Sequence, residues 1–496
     1  MSLILDLLLR HQAGRARLVA LVALVALGVL ALLGGCTFRP ASFDLAAARR
    51  ADDLAATERP LAREGSVVPP AEVALHEVRY TSLTWDAGGA HPIRIRAVVA
   101  VPLRPAPPHS RPAIVFAHGL GGQADAQTAI EMARNLDAVA LSLSAPGLGG
   151  SEGPAVRPED ARLLFAGAQD IRHSWLYGYV YAVLRSITYL QTRPEVDPQA
   201  IALTGFSLGG LVTFIANGVD SRIRGALPVA AAGGLREAAA ADTWLRRLVQ
   251  SSGGLRPEDP GPQALFRGLD PLAFARRQKG AVYMLIGAQD EYFPLPQAVR
   301  TFEALRAPDK VLTVLPDYDH GWYFGGGCPA RCMPGGPREH DCPAPPLCPT
   351  ECPGGARWPY CGPEQSYNRQ AAFGARWSAL LHTLVARHVV RPPRPLPPPP
   401  ELPDVRRRGD EVVVRPEGAV RAVRLAVSDN CGFTFSQHEL VRGTDGAYRQ
   451  VVHGAELVFF AEVESETGAV TTSVPKWPER CTLRVRPFGP RPGSGS

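Results

Sequence analysis

A chain of 496 residues is too long for one ordinary domain and long enough for a large core plus a second module. Its 46% hydrophobic and 20% charged content is that of a globular protein. The net charge of +6 comes from scattered basic residues with no run of five or more like charges, so nucleic acid is not expected as a partner.

The first expected element is an export signal. Arg10, Arg15 and Arg17 precede the apolar run Leu18–Leu33, which Gly34, Gly35 and Cys36 follow. Charged, apolar and small-residue regions in that order make a secretory signal over 1–35. The segment Leu33-Gly34-Gly35-Cys36 resembles the lipobox of bacterial lipoproteins, which implies that Cys36 is lipidated and becomes the first mature residue. The expectation is an exported protein held to a membrane by acyl chains on Cys36. An uncleaved signal anchor is the alternative, although the apolar run is short for a full span. Residues 36–70 read as a polar, proline-ended spacer.

From 71 to 390, strand-like and helix-like runs alternate. "ALHEVRYTSL" (74–83) and "PIRIRAVVAVP" (92–102) alternate polar and apolar residues, as an antiparallel pair does. The later runs are wholly apolar: 113–117, 138–144, 201–205, 225–232, 281–288 and 311–316. Strands covered by helices on both faces have that composition. Helices are expected over 173–192, 208–217 and 369–388, where the aromatic "WLYGYVYA" (175–182) reads as a packing face. The segment 233–280 holds helical stretches that read equally well as a cap over a site or as crossover helices. The whole is an α/β doubly wound, mostly parallel sheet, with its site at the carboxyl ends of the strands. Residues 391–404 form a stiff spacer, since 391–403 hold eight prolines in thirteen residues. Short alternating runs over 405–486, with turns ending at Gly418, Gly446 and Gly468, predict a small all-β sandwich. Residues 487–496 read as a disordered tail.

Two motifs carry chemistry. "GFSLGG" places Ser207 between the strand-like "IALT" and a helical run, with Gly205 and Gly209 on either side. A serine nucleophile at a strand-to-helix turn needs that context: the turn is strained, and the glycines let strand and helix approach closely. "HGLGG" (118–122) follows the strand "AIVFA". An oxyanion hole needs two backbone N–H groups, one after the nucleophile and one from the loop after an earlier strand. Leu208 is expected as the first and Leu120 as the second, with Gly119 the alternative. His118 precedes the nucleophile and reads as a histidine that orders its loop.

"HGLGG", "LSLSAPGLGGSEGP", "RPEVDPQAIALTGFSLGG", "DPLAFA", "LIGAQDEYFP" and "DYDHG" occur in this order. Together, over about 75–388, they resemble the α/β-hydrolase fold family, close to the branch of acetyl xylan esterases, dienelactone hydrolase-like enzymes and prolyl-oligopeptidase-type peptidases. Ala145 departs from that pattern, since relatives commonly carry a charged residue before Pro-Gly. The family order of serine, acid and histidine implies Asp290, after the run 281–288, as the acid and His320, after 311–316, as the base. Glu291, Asp317 and Asp319 are the rival acids; the two aspartates read better as turn residues. His173 reads as a surface or core histidine.

Eight cysteines remain besides Cys36. Cys328, Cys332, Cys342, Cys348, Cys352 and Cys361 fall within an insertion over 325–362, and Cys431 and Cys481 lie in the β-module. An even count in an exported protein argues for disulfides, with Cys431 expected to pair with Cys481 and no pairing chosen within the six. The spacings do not suit zinc.

The expected protein is an exported, lipid-anchored serine hydrolase cleaving a small-molecule or polymer ester through an acyl-enzyme, with no metal or organic cofactor called for. A peptidase of the prolyl-oligopeptidase or dipeptidyl-peptidase type and a non-catalytic surface-binding lipoprotein are the alternatives. The sequence sets no oligomeric state.

Overall fold

The computed structural model describes residues 40–316, 318, 320 and 363–478, apart from 242, 291, 395, 397, 419, 430, 431, 433, 434, 455 and 456, with the side chains of 363–372 also excepted. The signal, the cysteine-rich insertion, the tail and all nine cysteines lie outside the described residues. The architecture that follows belongs to the unit Ala41–Ser496.

In chain order the elements are α1 (Leu45–Ala48), β1 (Thr57–Leu61), β2 (Val73–Asp86), β3 (Gly89–Pro102), β4 (Arg111–Ala117), α2 (Ala126–Leu136) and β5 (Val139–Leu143). A 3-10 turn (Arg162–Ala168) leads to α3 (Trp175–Gln191), β6 (Val196–Phe206), α4 (Leu208–Val219) and β7 (Ile223–Val229). Then come α5 (Leu235–Ala240), α6 (Trp244–Ser251), α7 (Pro260–Gly268), α8 (Pro271–Phe274), β8 (Ala281–Gly287), α9 (Leu295–Ala304) and β9 (Lys310–Leu315). Helix α10 (Pro363–Leu384) ends in a π-turn (Val385–Val389), and β10 (Asp404–Arg408), β11 (Glu411–Arg415), β12 (Ala422–Ser428), β13 (Ser436–Glu439), β14 (Tyr448–Val451), β15 (Val458–Glu464) and β16 (Val470–Thr472) complete the fold.

Strands β1 to β9 form one sheet in the order β1-β2-β3-β5-β4-β6-β7-β8-β9. It is antiparallel as far as β5 and parallel beyond it. Neighbouring residues of β3 show why these strands are apolar throughout. Ala97 and Val99 face the core shared with α3, α4 and α9, while Val98 and Ala100 face the core shared with α2 and α10. Both faces are covered, so both sides of the pleat are hydrophobic. The β2–β3 hairpin turns at Ala87-Gly88, where Asp86 Oδ1 accepts the Gly88 N–H at 2.7 Å.

The expected spacer is partly a correction. Residues 44–61 fold onto the domain: β1 pairs with β2 over five residues. The buried Arg185 of α3 donates to the carbonyls of Ala47, Ala48 and Arg50 and to the Asp53 carboxylate at 2.6–3.3 Å. Ala48 and Leu54 are also buried in the main core, but two apolar residues beside polar anchors make no periodicity that announces the docking. The proline-rich segment is likewise not detached, since Pro399, Pro400 and Pro403 are buried.

The carboxyl-terminal module is all-β, with a β10-β11-β14 sheet and a β13-β12-β15-β16 sheet. They enclose a core that includes Val412, Val414, Leu425, Phe459 and Val463. The opposite face of the second sheet presents Ala426, Val458 and Phe460 to the main hydrophobic core. Beside it, β16 runs along β9. Thr313 Oγ1 donates to the Val470 carbonyl, and the Val314 N–H donates to Thr472 Oγ1 at 3.1 Å. The sheet edge at β9 is thereby covered instead of being left as an open template for pairing.

Candidate active site

The strand order reverses at β4. The chain passes from β4 to β5 on one side, then returns to β6 on the other, which opens a crevice at the carboxyl ends of β4 and β6. Ala117 and Gly205 are paired across these strands, so the loop at 118–122 and the turn at Ser207 emerge side by side.

Ser207 has φ 55° and ψ −117°, a strained conformation for a residue with a side chain. Its N–H donates to the Val229 carbonyl at 2.9 Å, and its carbonyl accepts from Leu211 as α4 begins. A Cβ on Gly205 would overlap the Gly209 carbonyl, and one on Gly209 would overlap the Ala117 carbonyl. The two glycines therefore let α4 lie close against β4 and β6.

His320 lies five residues beyond β9, and Asp290 lies three beyond β8. The structure brings both to Ser207. His320 Nε2 is 2.8 Å from Ser207 Oγ, and His320 Nδ1 is 2.9 Å from Asp290 Oδ2. The Asp290 side chain is fully buried, and its Oδ1 accepts the N–H groups of Tyr292 and Phe293 at 3.0 and 2.8 Å. A carboxylate at Nδ1 holds the proton there, which leaves Nε2 as the acceptor for the serine hydroxyl. The imidazole packs against Tyr292, Phe206 and Phe293, with ring centroids 4.6, 5.8 and 5.8 Å away. Glu291, Asp317 and Asp319 lie outside the described residues.

Leu208 opens α4, so its N–H has no acceptor within the helix. Leu120 and Gly119 sit in the loop after β4, and all three residues line the cavity beside Ser207. His118 orders that loop as expected. The Ala145 N–H donates to its Nε2 at 3.0 Å, so Nδ1 carries the proton and donates to the Gly119 carbonyl at 2.6 Å. Burial pushes the His118 pKa down to about 4, keeping the ring neutral. Ala145, the departure from the family pattern, meets this loop through its backbone. Tyr179 of α3 donates to the His118 carbonyl at 3.0 Å. The aromatic run "WLYGYVYA" predicts only packing for that tyrosine, since nothing in a helical aromatic run marks one hydroxyl as a loop support. His173 ends a short 3-10 turn and does not line the cavity.

Ser207 and His320 line a cavity of about 620 Å³. The segment 233–280 builds part of its wall: Leu235 of α5, Trp244, Leu245 and Leu248 of α6, and Leu265 of α7. Asp270 ties this cap down at both ends. Its Oδ1 accepts from Gly234 and Leu272 and its Oδ2 from Leu235, at 2.8–3.0 Å.

Residues 168–327 match the model of the prolyl oligopeptidase family. No curated protein matches the chain. Among solved structures, the chain is similar to an acetyl xylan esterase from Paenibacillus sp. R4, with 22% identity, 56% of this chain and 87% of that one covered, and a TM-score of 0.46. Acetyl xylan esterase 1 from Thermoanaerobacterium sp. JW/SL YS485 shares 18% identity over 59% of this chain and 93% of that one, with a TM-score of 0.45. Pyrococcus horikoshii acylaminoacyl peptidase shares 14% identity over 51% of this chain and 44% of that one, with a TM-score of 0.35. The sheet order, the helical layers and the turn at Ser207 make the fold that of an α/β-hydrolase.

Proposed function

We propose that this α/β-hydrolase-fold protein is a serine esterase with Ser207 as nucleophile, His320 as general base and acid, and Asp290 as the carboxylate that orients the imidazole. The observation that supports it is the hydrogen-bonded chain Ser207–His320–Asp290, with distances of 2.8 and 2.9 Å, at the wall of an apolar cavity. In this reading Ser207 Oγ attacks the ester carbonyl carbon while its proton passes to His320 Nε2. The oxyanion accepts from the N–H groups of Leu208 and Leu120, with Gly119 the alternative donor. The C–O bond to the alcohol breaks, and His320 gives the alcohol its proton. Water, deprotonated by His320, then releases the carboxylic acid from the acyl-enzyme and restores Ser207.

A fluorophosphonate probe tests this directly. The expected result is one adduct on Ser207 and hydrolysis of 4-nitrophenyl esters, both lost in Ser207→Ala. A folded protein that takes no adduct sinks the reading and favours a binding protein on an idle scaffold.

The family match over 168–327 favours a second reading, cleavage of peptide amides. Against it, the acidic residue that lines the cavity among the described residues, Asp125, uses its carboxylate to cap α2 through Thr128. An exopeptidase needs acidic groups free to hold an amino terminus. Turnover of aminoacyl or dipeptidyl coumarin amides faster than of esters is the result that establishes this second reading.

We further propose that the protein is exported and anchored through a lipid on Cys36. Metabolic labelling with a radiolabelled fatty acid is expected to mark the wild type and not Cys36→Ala. Among the described residues, no helix is long and apolar enough to cross a membrane.

A further inference from the structure

Resting on the esterase reading, we propose that the acyl group this site takes is a medium-chain fatty acyl, uncharged and much larger than acetyl. Size is the first reason. The cavity measures about 620 Å³, whereas an apolar cavity of about 150 Å³ already holds a benzene ring. Even with the alcohol occupying the part beside Tyr292, an acetyl group leaves much of that volume without a partner and loses the contacts that filling it would make.

The second reason is the wall. Leu208 and Leu211 continue from the nucleophile along α4, and Leu176 of α3, Phe165 of the 3-10 turn and Leu265 of α7 extend it beside the cap residues. All five are 8% exposed or less and belong to the main hydrophobic core. Core packing holds these side chains, so the cavity is preformed and does not depend on closure around a ligand.

Charge is the third. Among the described residues, no lysine or arginine lines the cavity, and Asp125 is committed to its helix cap. A carboxylate-bearing acyl group finds no cation among these described residues. A hydroxyl-rich group buried against leucines leaves its hydroxyls unpaired, which is costly. The reaction also sets a direction. The leaving alcohol takes its proton from His320 Nε2, on the side where Tyr292 packs against the imidazole with ring centroids 4.6 Å apart. The acyl chain therefore takes the wall that runs from Ser207 through Leu208 and Leu211.

The experiment is a series of 4-nitrophenyl esters from acetate to decanoate, with one leaving group throughout. The expected kcat/KM rises about fourfold for each methylene taken into the cavity and levels off once it is filled. In Leu265→Trp, which reduces the free volume, the octanoate-to-acetate ratio is expected to fall at least tenfold. Fluorophosphonate labelling of Ser207 in both proteins shows that each site is assembled. Labelling together with acetate as the best substrate, or with a ratio unmoved by Leu265→Trp, overturns the chain-length inference alone. Absence of labelling and of turnover with every ester overturns the esterase reading and the inference with it.

Discussion

The backbone of Ser207, at φ 55°, costs about 1–3 kcal/mol and persists only where its surroundings over-determine it. Here they do: Val229 holds its N–H, and the absence of a Cβ at Gly205 and Gly209 lets α4 pack directly against the backbone of β4 and β6. Gly209→Ala is therefore expected to lose folded protein or ester turnover altogether, because the new Cβ meets backbone that cannot swing aside; soluble yield and fluorophosphonate labelling read this out. Asp290→Asn keeps the shape but lets the amide present an N–H to the ring, favouring the wrong tautomer. A loss of about 10⁴-fold in kcat with an intact fold is expected, and a loss below tenfold would mean that another carboxylate serves His320. His118 gives a pH signature. Its folded pKa of about 4 lies below the ordinary histidine value of 6.5. Between those values the unfolded chain takes up the proton first, so this contribution is present above pH 6.5 and lost as pH falls toward 4. Its size is about 3 kcal/mol. Urea unfolding across that window should show a shallower acid loss for His118→Asn than for the wild type.

Within the elements, the cap is held by one buried carboxylate. Asp270 accepts three backbone N–H groups at the starts of α5 and α8, and burial nonetheless raises its pKa to about 6. Its sign is opposite to that of His118. Between pH 3.8 and 6 the folded state keeps the proton that the unfolded state has lost, so this contribution falls as pH rises through the window. In Asp270→Asn the new NH₂ must face the Gly234 and Leu272 N–H groups or the Leu235 N–H. A loss of about 2 kcal/mol in unfolding free energy is expected at pH 7. Because Leu235 lines the cavity, the KM for long-chain esters should rise with it; unchanged stability and KM would mean that the cap is held by its helix packing alone. The helices of this cap were visible as segments in 233–280, but their position was not. An amphipathic helix such as α6 states that one face is buried, not which surface buries it.

At the scale of the molecule, the β-module is part of the hydrolase's own packing. It supplies Phe460 and Val458 to the main core and covers β9 with β16. Glu462 of β15 makes two 2.7 Å bonds to Arg376 of α10. Burial favours its neutral form, yet Arg376 and Arg424 hold its pKa below the ordinary glutamate value. Arg376→Ala strips one partner from a carboxylate that is 2% exposed, and a loss of about 3 kcal/mol is expected, with Glu462→Gln in the same chain restoring part of it. Deleting 391–496 uncovers the β9 edge and core residues together, so the truncated chain is expected to aggregate on expression. A soluble, active truncation would show that the interface is dispensable. The sequence announced the β-module clearly, through alternating runs and turn glycines now found at Gly418, Gly446 and Gly468 with φ between 78° and 85°. Its docking was not announced, because the residues that make it look like any other inward-facing strand positions.

Local physics decided what could be read from the chain alone. Apolar runs of strand length and a strand-to-helix turn that only glycines allow are short-range patterns, each imposed within a few residues, whereas the order Ser207, Asp290, His320 was legible only through the family resemblance. The tertiary structure decided what depends on groups far apart in sequence. Ser207 and His320 stand 113 residues apart and meet at 2.8 Å. Arg185 reaches back 132 residues to fold the expected spacer onto the domain. The cavity is a space between α3, α4, the 3-10 turn and the cap. Its volume and its largely apolar described lining are properties of their packing, and no single segment encodes them.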